Sequence, residues 1–146
     1  MTAAFADSSA LVKLYADELG AEMMRAMSPL LVSQLARVEV PAALWRKHRM
    51  GELSAEDTAV LVAGFEADYF GTEEESERFL AIAATDPILD AAAQLAGIHG
   101  LRAYDAVQLA SACFARREVP EGLRFAAFDR ALRTAAAQEG LQLLPD

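Results

Sequence analysis

Two rhythms of apolar and polar positions alternate along the chain. Ala3–Ala6, Leu30–Val32, Phe79–Ala83, Leu123–Phe128 and Leu141–Leu144 are short apolar runs bounded by polar or turn residues, and they read as buried strands. The stretches between them carry helical spacing. Leu11, Leu14 and Tyr15 mark the inner stripe of a helix over 9–17, which Ser8 or Ser9 can cap and Gly20 breaks. A second helix over 20–27 ends before Pro29. Ser33 caps a long helix that runs to His48, where Arg46, Lys47, His48 and Arg49 suit the negative end of the helix dipole. Ser54-Ala55-Glu56-Asp57 is an N-cap signature for a helix to Tyr69. Asp86-Pro87 opens a helix ending near His99-Gly100, another covers Tyr104–Ala115, and the last covers Asp129–Glu139 with Gly140 as its stop.

Strands that alternate with helices predict an α/β fold. The expected architecture has three layers, α/β/α, around a central parallel sheet of four to five short strands. No linker, repeat or low-complexity segment divides the chain, so one domain is expected over 1–146.

Composition changes this picture little; charge changes it more. The chain is 54% apolar, which suits a packed globule and excludes a disordered one. Its single cysteine, Cys113, cannot form an internal disulfide, and its apolar setting suits a small core residue. The opening Met1-Thr2-Ala3-Ala4-Phe5-Ala6-Asp7 lacks the basic start and long apolar run of a signal peptide, and no uncharged apolar run nears the ~18 residues that span a bilayer. A cytoplasmic protein is expected. The net charge of −9 resides in residues 50–77, which hold nine acids and no Lys or Arg. The other residues carry 13 acids and 13 bases. Overall charge therefore argues against a nucleic-acid partner, but the remaining surface need not repel one.

In a parallel α/β sheet the site lies at the carboxyl ends of the strands. Four acids stand out there in apolar surroundings. Asp7 follows the first strand, and Asp129 follows the fourth. Glu39 flanks the stripe expected from Leu35, Val38 and Ala42, and Asp105 opens a helix whose other face is Val107, Leu109 and Ala110. Each alone suits a helix cap or an exposed helical position. Together they repel one another, and a cation relieves that repulsion. Oxygen-only ligands favour Mg²⁺, with Mn²⁺ as a substitute, over zinc, and His48, His99 and Cys113 are too scattered for a zinc site.

The motifs around these acids resemble those of PIN-domain ribonucleases of the VapC type, the toxin half of VapBC toxin–antitoxin pairs. Asp7-Ser8-Ser9-Ala10-Leu11-Val12-Lys13-Leu14 is similar to the opening motif, and the helix bearing Glu39 to the second. Ala103-Tyr104-Asp105-Ala106-Val107-Gln108-Leu109-Ala110 resembles the third, the most specific of the set. Phe128-Asp129-Arg130-Ala131-Leu132, with Ala135-Ala136 and Gly140, resembles the fourth. One departure is Ala127, where the family often carries Ser or Thr.

The resemblance implies a metal-dependent endoribonuclease that leaves a 5′-phosphate and a 3′-hydroxyl. Asp7, Glu39, Asp105 and Asp129 would be its catalytic, metal-holding acids, with Asp7 and Asp105 the most direct ligands. Ser9 is expected to orient Asp7, and Lys13, Arg37 and Arg102 are candidates for RNA phosphate. Trp45 and Tyr104 could stack bases, although packing is the simpler role. A VapB-type antitoxin and a homodimer are also implied, and the acidic 50–77 segment could hold a basic antitoxin tail. A phospho-receiver or haloacid-dehalogenase fold would need a late lysine, and the only lysines are Lys13 and Lys47. The remaining alternative is a PIN-like domain that binds RNA or protein without cutting.

Overall fold

The computed structural model describes residues 3–119 and 121–146. Five strands form one all-parallel sheet: β1 (Ala3–Ala6), β2 (Leu30–Ser33), β3 (Phe79–Ile82), β4 (Leu123–Ala126) and β5 (Gln142–Leu144). Their order is β3-β2-β1-β4-β5, so β1 is central. The chain builds outward from β1 through β2 to β3, then returns to the other side of β1 for β4 and β5. Between β1 and β4 the strand order therefore switches direction, which opens a crevice at their carboxyl ends. The pair is in register from Ala3 opposite Leu123 to Ala6 opposite Ala126, so both strands end level.

The strands send alternate side chains to opposite faces. Phe5, Leu31, Leu123 and Phe125 pack into one apolar layer with α5 (Asp86–His99), α6 (Ala103–Arg116) and α7 (Arg130–Gln138). Ala4, Ala6, Leu30, Val32 and Phe79 pack into the other with α1 (Ser8–Val12), α2 (Ala21–Arg25), α3 (Ala36–Arg49) and α4 (Ala55–Phe70). The three-layer α/β/α arrangement expected from the sequence is present, with five strands.

Several local expectations are corrected. Neither Ser8 nor Ser9 caps α1; Asp7 does, accepting from the Ala10 amide at 2.9 Å. That helix ends at Val12 instead of continuing to 17, as tighter bonds from Lys13, Leu14 and Tyr15 wind it into turns. Ser33 caps no helix. Its hydroxyl accepts from the Leu35 amide, one turn intervenes, and α3 starts at Ala36. The buried stripe of α3 is Ala36, Val40 and Leu44, whereas Val38 is 70% exposed and Ala42 faces solvent. The expected stripe of Leu35, Val38 and Ala42 is thus rotated: apolar residues nearly ring this helix, and packing on the sheet selects the narrower, smaller face.

Gly20 shows how the turn after α1 is closed. Its φ is +95°, and a β-carbon there would sit 2.8 Å from the Phe128 ring. Only glycine combines that backbone with that approach. The Phe128 ring is also covered by the Lys13 ammonium at 4.3 Å, tying the end of α1 to the segment after β4.

Candidate active site

Asp7 is the first residue beyond β1, and its amide donates to the carbonyl of Ala126 at the end of β4. The strand pairing thus delivers this carboxylate into the crevice. It is only 3% exposed. Its Oδ1 accepts from the Ser9 hydroxyl at 2.7 Å and from the Ala10 amide at 2.9 Å. Burial pushes the Asp7 carboxyl up to about 7; these two hydrogen bonds pull the other way, and repulsion from Asp105 and Glu39 adds to the rise. Ser9 thus bonds one Asp7 oxygen, and its own oxygen also accepts from the Phe128 amide at 3.3 Å.

The other three acids arrive from helices. Glu39, half-buried on α3, accepts at Oε1 from Ser8 Oγ at 3.0 Å and from Gln108 Nε2 at 2.7 Å. Asp105, in the first turn of α6, is engaged at Oδ2 by Arg102 through both Nε and a terminal nitrogen, at 3.1 and 3.0 Å. Asp129 caps α7, with Oδ2 accepting from the Leu132 amide at 2.9 Å. The exposed Arg102 guanidinium is bonded to Asp105 and also feels the charges of Asp129 and Glu39, while Asp7 feels those of Asp105 and Glu39. A common pattern emerges: each acid has one oxygen tethered, while the other receives no hydrogen bond among the described residues.

Among the described residues, no three carboxylate, histidine or cysteine side chains converge into a ready-made metal cage. The donor set still suits a hard divalent cation. It offers only oxygens, free on one side, and a buried acid repelled by its neighbours. Mg²⁺ is commonly held by one or two carboxylates, with water and substrate phosphate filling the other positions. An open cleft of about 640 Å³ beside Asp129 is lined by Phe128, Arg130, Arg133, Thr134, Ala137, Gln138 and Leu143. A second of about 510 Å³ lies between the Tyr15–Glu18 turn and the start of α4. The four acids line neither, so the chemistry, not the volume, locates the site.

Comparison with known proteins gives two independent results. Ribonuclease VapC45 and Ribonuclease VapC49, both of Mycobacterium tuberculosis, are each 33% identical to this chain over 149 residues, covering 99% of it and 96% of the relative. The chain belongs to the VapC ribonuclease family. No family model matches it. Among solved structures, a Pyrobaculum aerophilum protein aligns with TM-score 0.64 at 21% identity, over 98% of this chain and 84% of that one. FitAcB of Neisseria gonorrhoeae gives 0.60 at 16%, over 96% and 95%. A toxin–antitoxin complex from Klebsiella pneumoniae gives 0.56 at 20%, over 86% of each chain. These likenesses support the PIN-type fold.

The basic residues of this VapC relative are placed unevenly. Arg102 stands 82% exposed at the mouth of the site. Arg37 is two residues from Glu39, on a different side of α3, and lies over the Phe70 ring at 5.0 Å. Lys13 is turned inward, paired with Glu18 at 3.1 Å and stacked on Phe128. Tyr104 is 62% exposed beside Asp105, whereas Trp45 is half-buried against His48. Ala127 is fully buried in the α5–α7 layer. Cys113 is half-buried against the same layer, where burial raises its thiol.

Two more polar residues lie near the acids: Ser8, expected only as a helix cap, and Gln108, for which the sequence suggests no role. Gln108 is 2% exposed on the inner face of α6, and its Nε2 donates to both Ser8 Oγ, at 3.0 Å, and Glu39. Its Oε1 is buried with no partner among the described residues. An unpaired buried acceptor costs about 1–3 kcal/mol. The available signal was a long polar side chain inside the otherwise apolar Ala106–Ala110 stripe.

Proposed function

We propose that this chain, acting as one PIN domain, is a cytoplasmic endoribonuclease toxin that hydrolyses RNA phosphodiesters with Mg²⁺ or Mn²⁺. The observation that carries the reading is the buried Asp7 carboxylate at the switch between β1 and β4, facing two further acids that each keep one oxygen free. The family membership supports the same activity.

Asp7 and Asp105 would hold the cation most directly, with Glu39 and Asp129 completing the site directly or through water. When bound, the cation supplies positive charge that acidifies the attacking water and offsets charge on the phosphate. Asp7 Oδ2, the untethered oxygen, is the atom suited to face the cation, and a carboxylate that meets the cation only through water would accept the proton of the attacking water. Ser9 and the Ala10 amide fix Asp7 so that this oxygen faces outward from its cap. Arg102 can exchange Asp105 for a substrate phosphate, because its guanidinium is exposed and held at a single carboxylate oxygen. Tyr104 offers a ring for an unstacked base beside it.

The family reading also implies restraint by an antitoxin, as in the Klebsiella pneumoniae complex, and pairing into homodimers. Exposed Leu89 and Ile98 on α5 and Phe114 on α6 are apolar groups suited to such a second surface. Among the described residues no helix is long and apolar enough to cross a membrane.

The test is cleavage of a mixed cellular RNA pool by purified, antitoxin-free protein, with Mg²⁺ or Mn²⁺ and with EDTA. Asp7→Asn and Asp105→Asn run alongside. Discrete cuts with 5′-phosphate ends, abolished by EDTA and by either substitution, are expected. Cleavage that survives both substitutions would remove these acids from the chemistry.

A further inference from the structure

Gln108 belongs to no part of the mechanism above, yet it is among the most committed side chains in the molecule. One nitrogen bridges two residues that lie 100 and 69 positions away in the chain, Ser8 and Glu39. Ser8 itself is buried and donates to the same Glu39 oxygen, closing a triangle between the β1–α1 junction, α3 and α6. Ser8 Oγ and Gln108 Nε2 both donate to Glu39 Oε1, and none of the described residues donates to Oε2. Glu39 Oε2 is therefore the only oxygen left to reach outward.

Stability does not account for this choice. The other end of the Gln108 amide is buried with no partner among the described residues, and leucine or methionine would fill a similar volume without that loss. Gln108 also sits one helical turn after Asp105 on α6, so it couples the helix carrying one acid to the side chain of another.

We infer that Gln108 is a positioning residue for the cation site: with Ser8, it tethers Glu39 Oε1 and so sets where Glu39 Oε2 stands relative to Asp7 and Asp105. The inference rests on the nuclease reading. The effect is mechanical. Without the amide, Glu39 keeps only the Ser8 hydroxyl and regains rotation about its terminal bonds.

The experiment uses the full chain and Mn²⁺, with binding followed by calorimetry, cleavage by kcat and KM, and folding by thermal melting. Gln108→Leu and Gln108→Met are expected to weaken Mn²⁺ binding about 10-fold, in the range that outer partners of metal ligands command. They lower kcat while KM for RNA holds, and they melt at or above the wild-type temperature. Ser8→Ala gives a smaller loss of the same kind. In a Glu39→Gln background, Gln108→Leu is expected to add nothing further. Wild-type Mn²⁺ affinity in Gln108→Leu would overturn the inference. So would losses that multiply fully in the double variant, or a lowered melting temperature that tracks the lost affinity. If the wild-type protein neither binds Mn²⁺ nor cuts RNA, the nuclease reading itself fails and takes this inference with it.

Discussion

Two regions of this molecule are rich in acids, and they are opposites. At the switch between β1 and β4, Asp7 is buried, tethered at one oxygen and repelled by two neighbours. On α4 and the loop after it, Glu56, Asp57, Glu66, Glu73, Glu74, Glu75 and Glu77 stand exposed in water. Formal charge is larger in the second region, yet the chemical leverage lies in the first. Water screens exposed charges from one another, whereas burial denies a carboxylate that relief and makes it seek a cation or a proton. A count of acids along the sequence points to the exposed segment; their surroundings point to the crevice at β1 and β4.

The largest test of this contrast is catalytic. Asp7→Asn and Asp105→Asn should each cost more than the ~10–100-fold that outer partners of metal ligands cost. Reversing Glu73, Glu74, Glu75 and Glu77 to lysine should leave single-turnover cleavage within a few-fold. That reversal is instead expected to lower antitoxin affinity and its dependence on salt, because the segment would attract a basic tail only through long-range charge. Unchanged affinity and salt slope would reduce the segment to a solubilising face.

A second test is stability against pH. The Asp7 carboxyl rises from 3.8 to about 7 on folding, a change worth ~4 kcal/mol. For a raised acid the sign is fixed: the benefit is full below about pH 4 and is lost as pH climbs through 7. Asp7→Asn cannot ionise, so it should melt above the wild type at pH 8 and converge with it near pH 4. Adding Mg²⁺ should narrow the gap by stabilising only the wild type. Melting curves that stay parallel across this range would mean that Asp7 is not buried as described.

The smallest test lies at the inner edge of the acidic segment. Asp68 belongs to the acidic segment but is half-buried, accepting from the Tyr15 hydroxyl at 2.6 Å beside Arg78 at 3.6 Å. Tyr15→Phe should cost about 1 kcal/mol in chemical denaturation and leave cleavage unchanged. A loss of activity would show that α4 supports the site more closely than the contrast allows.

Much of this was legible in the chain. The strands declared themselves as apolar runs, and Asp7 and Asp129 were conspicuous because each interrupts one at its end. Orientation around helices was harder to read. Val38 and Ala42 look like core residues on α3, but Ala36, Val40 and Leu44 give a closer fit to the sheet, and spacing alone does not choose between stripes. Lys13 reads as a candidate for RNA phosphate, yet Glu18 and the Phe128 ring draw it inward. The Ser8–Gln108–Glu39 triangle was invisible for a different reason. It joins residues from three distant segments, and no local rule anticipates which polar groups the sheet will bring together.

The tethering of one oxygen on each acid bears on ion discrimination. Calcium accepts six to eight ligands in loose geometry and readily takes both oxygens of a carboxylate, whereas magnesium requires a small, regular octahedron. In the site we propose, the second oxygen of each acid is already occupied by Ser9 and Ala10, by Ser8 and Gln108, by Arg102, or by the Leu132 amide. Such hydrogen bonds bias each acid towards offering its other oxygen to an ion. In that site the hydrogen bonds behind the acids would favour the smaller ion without any contact with it.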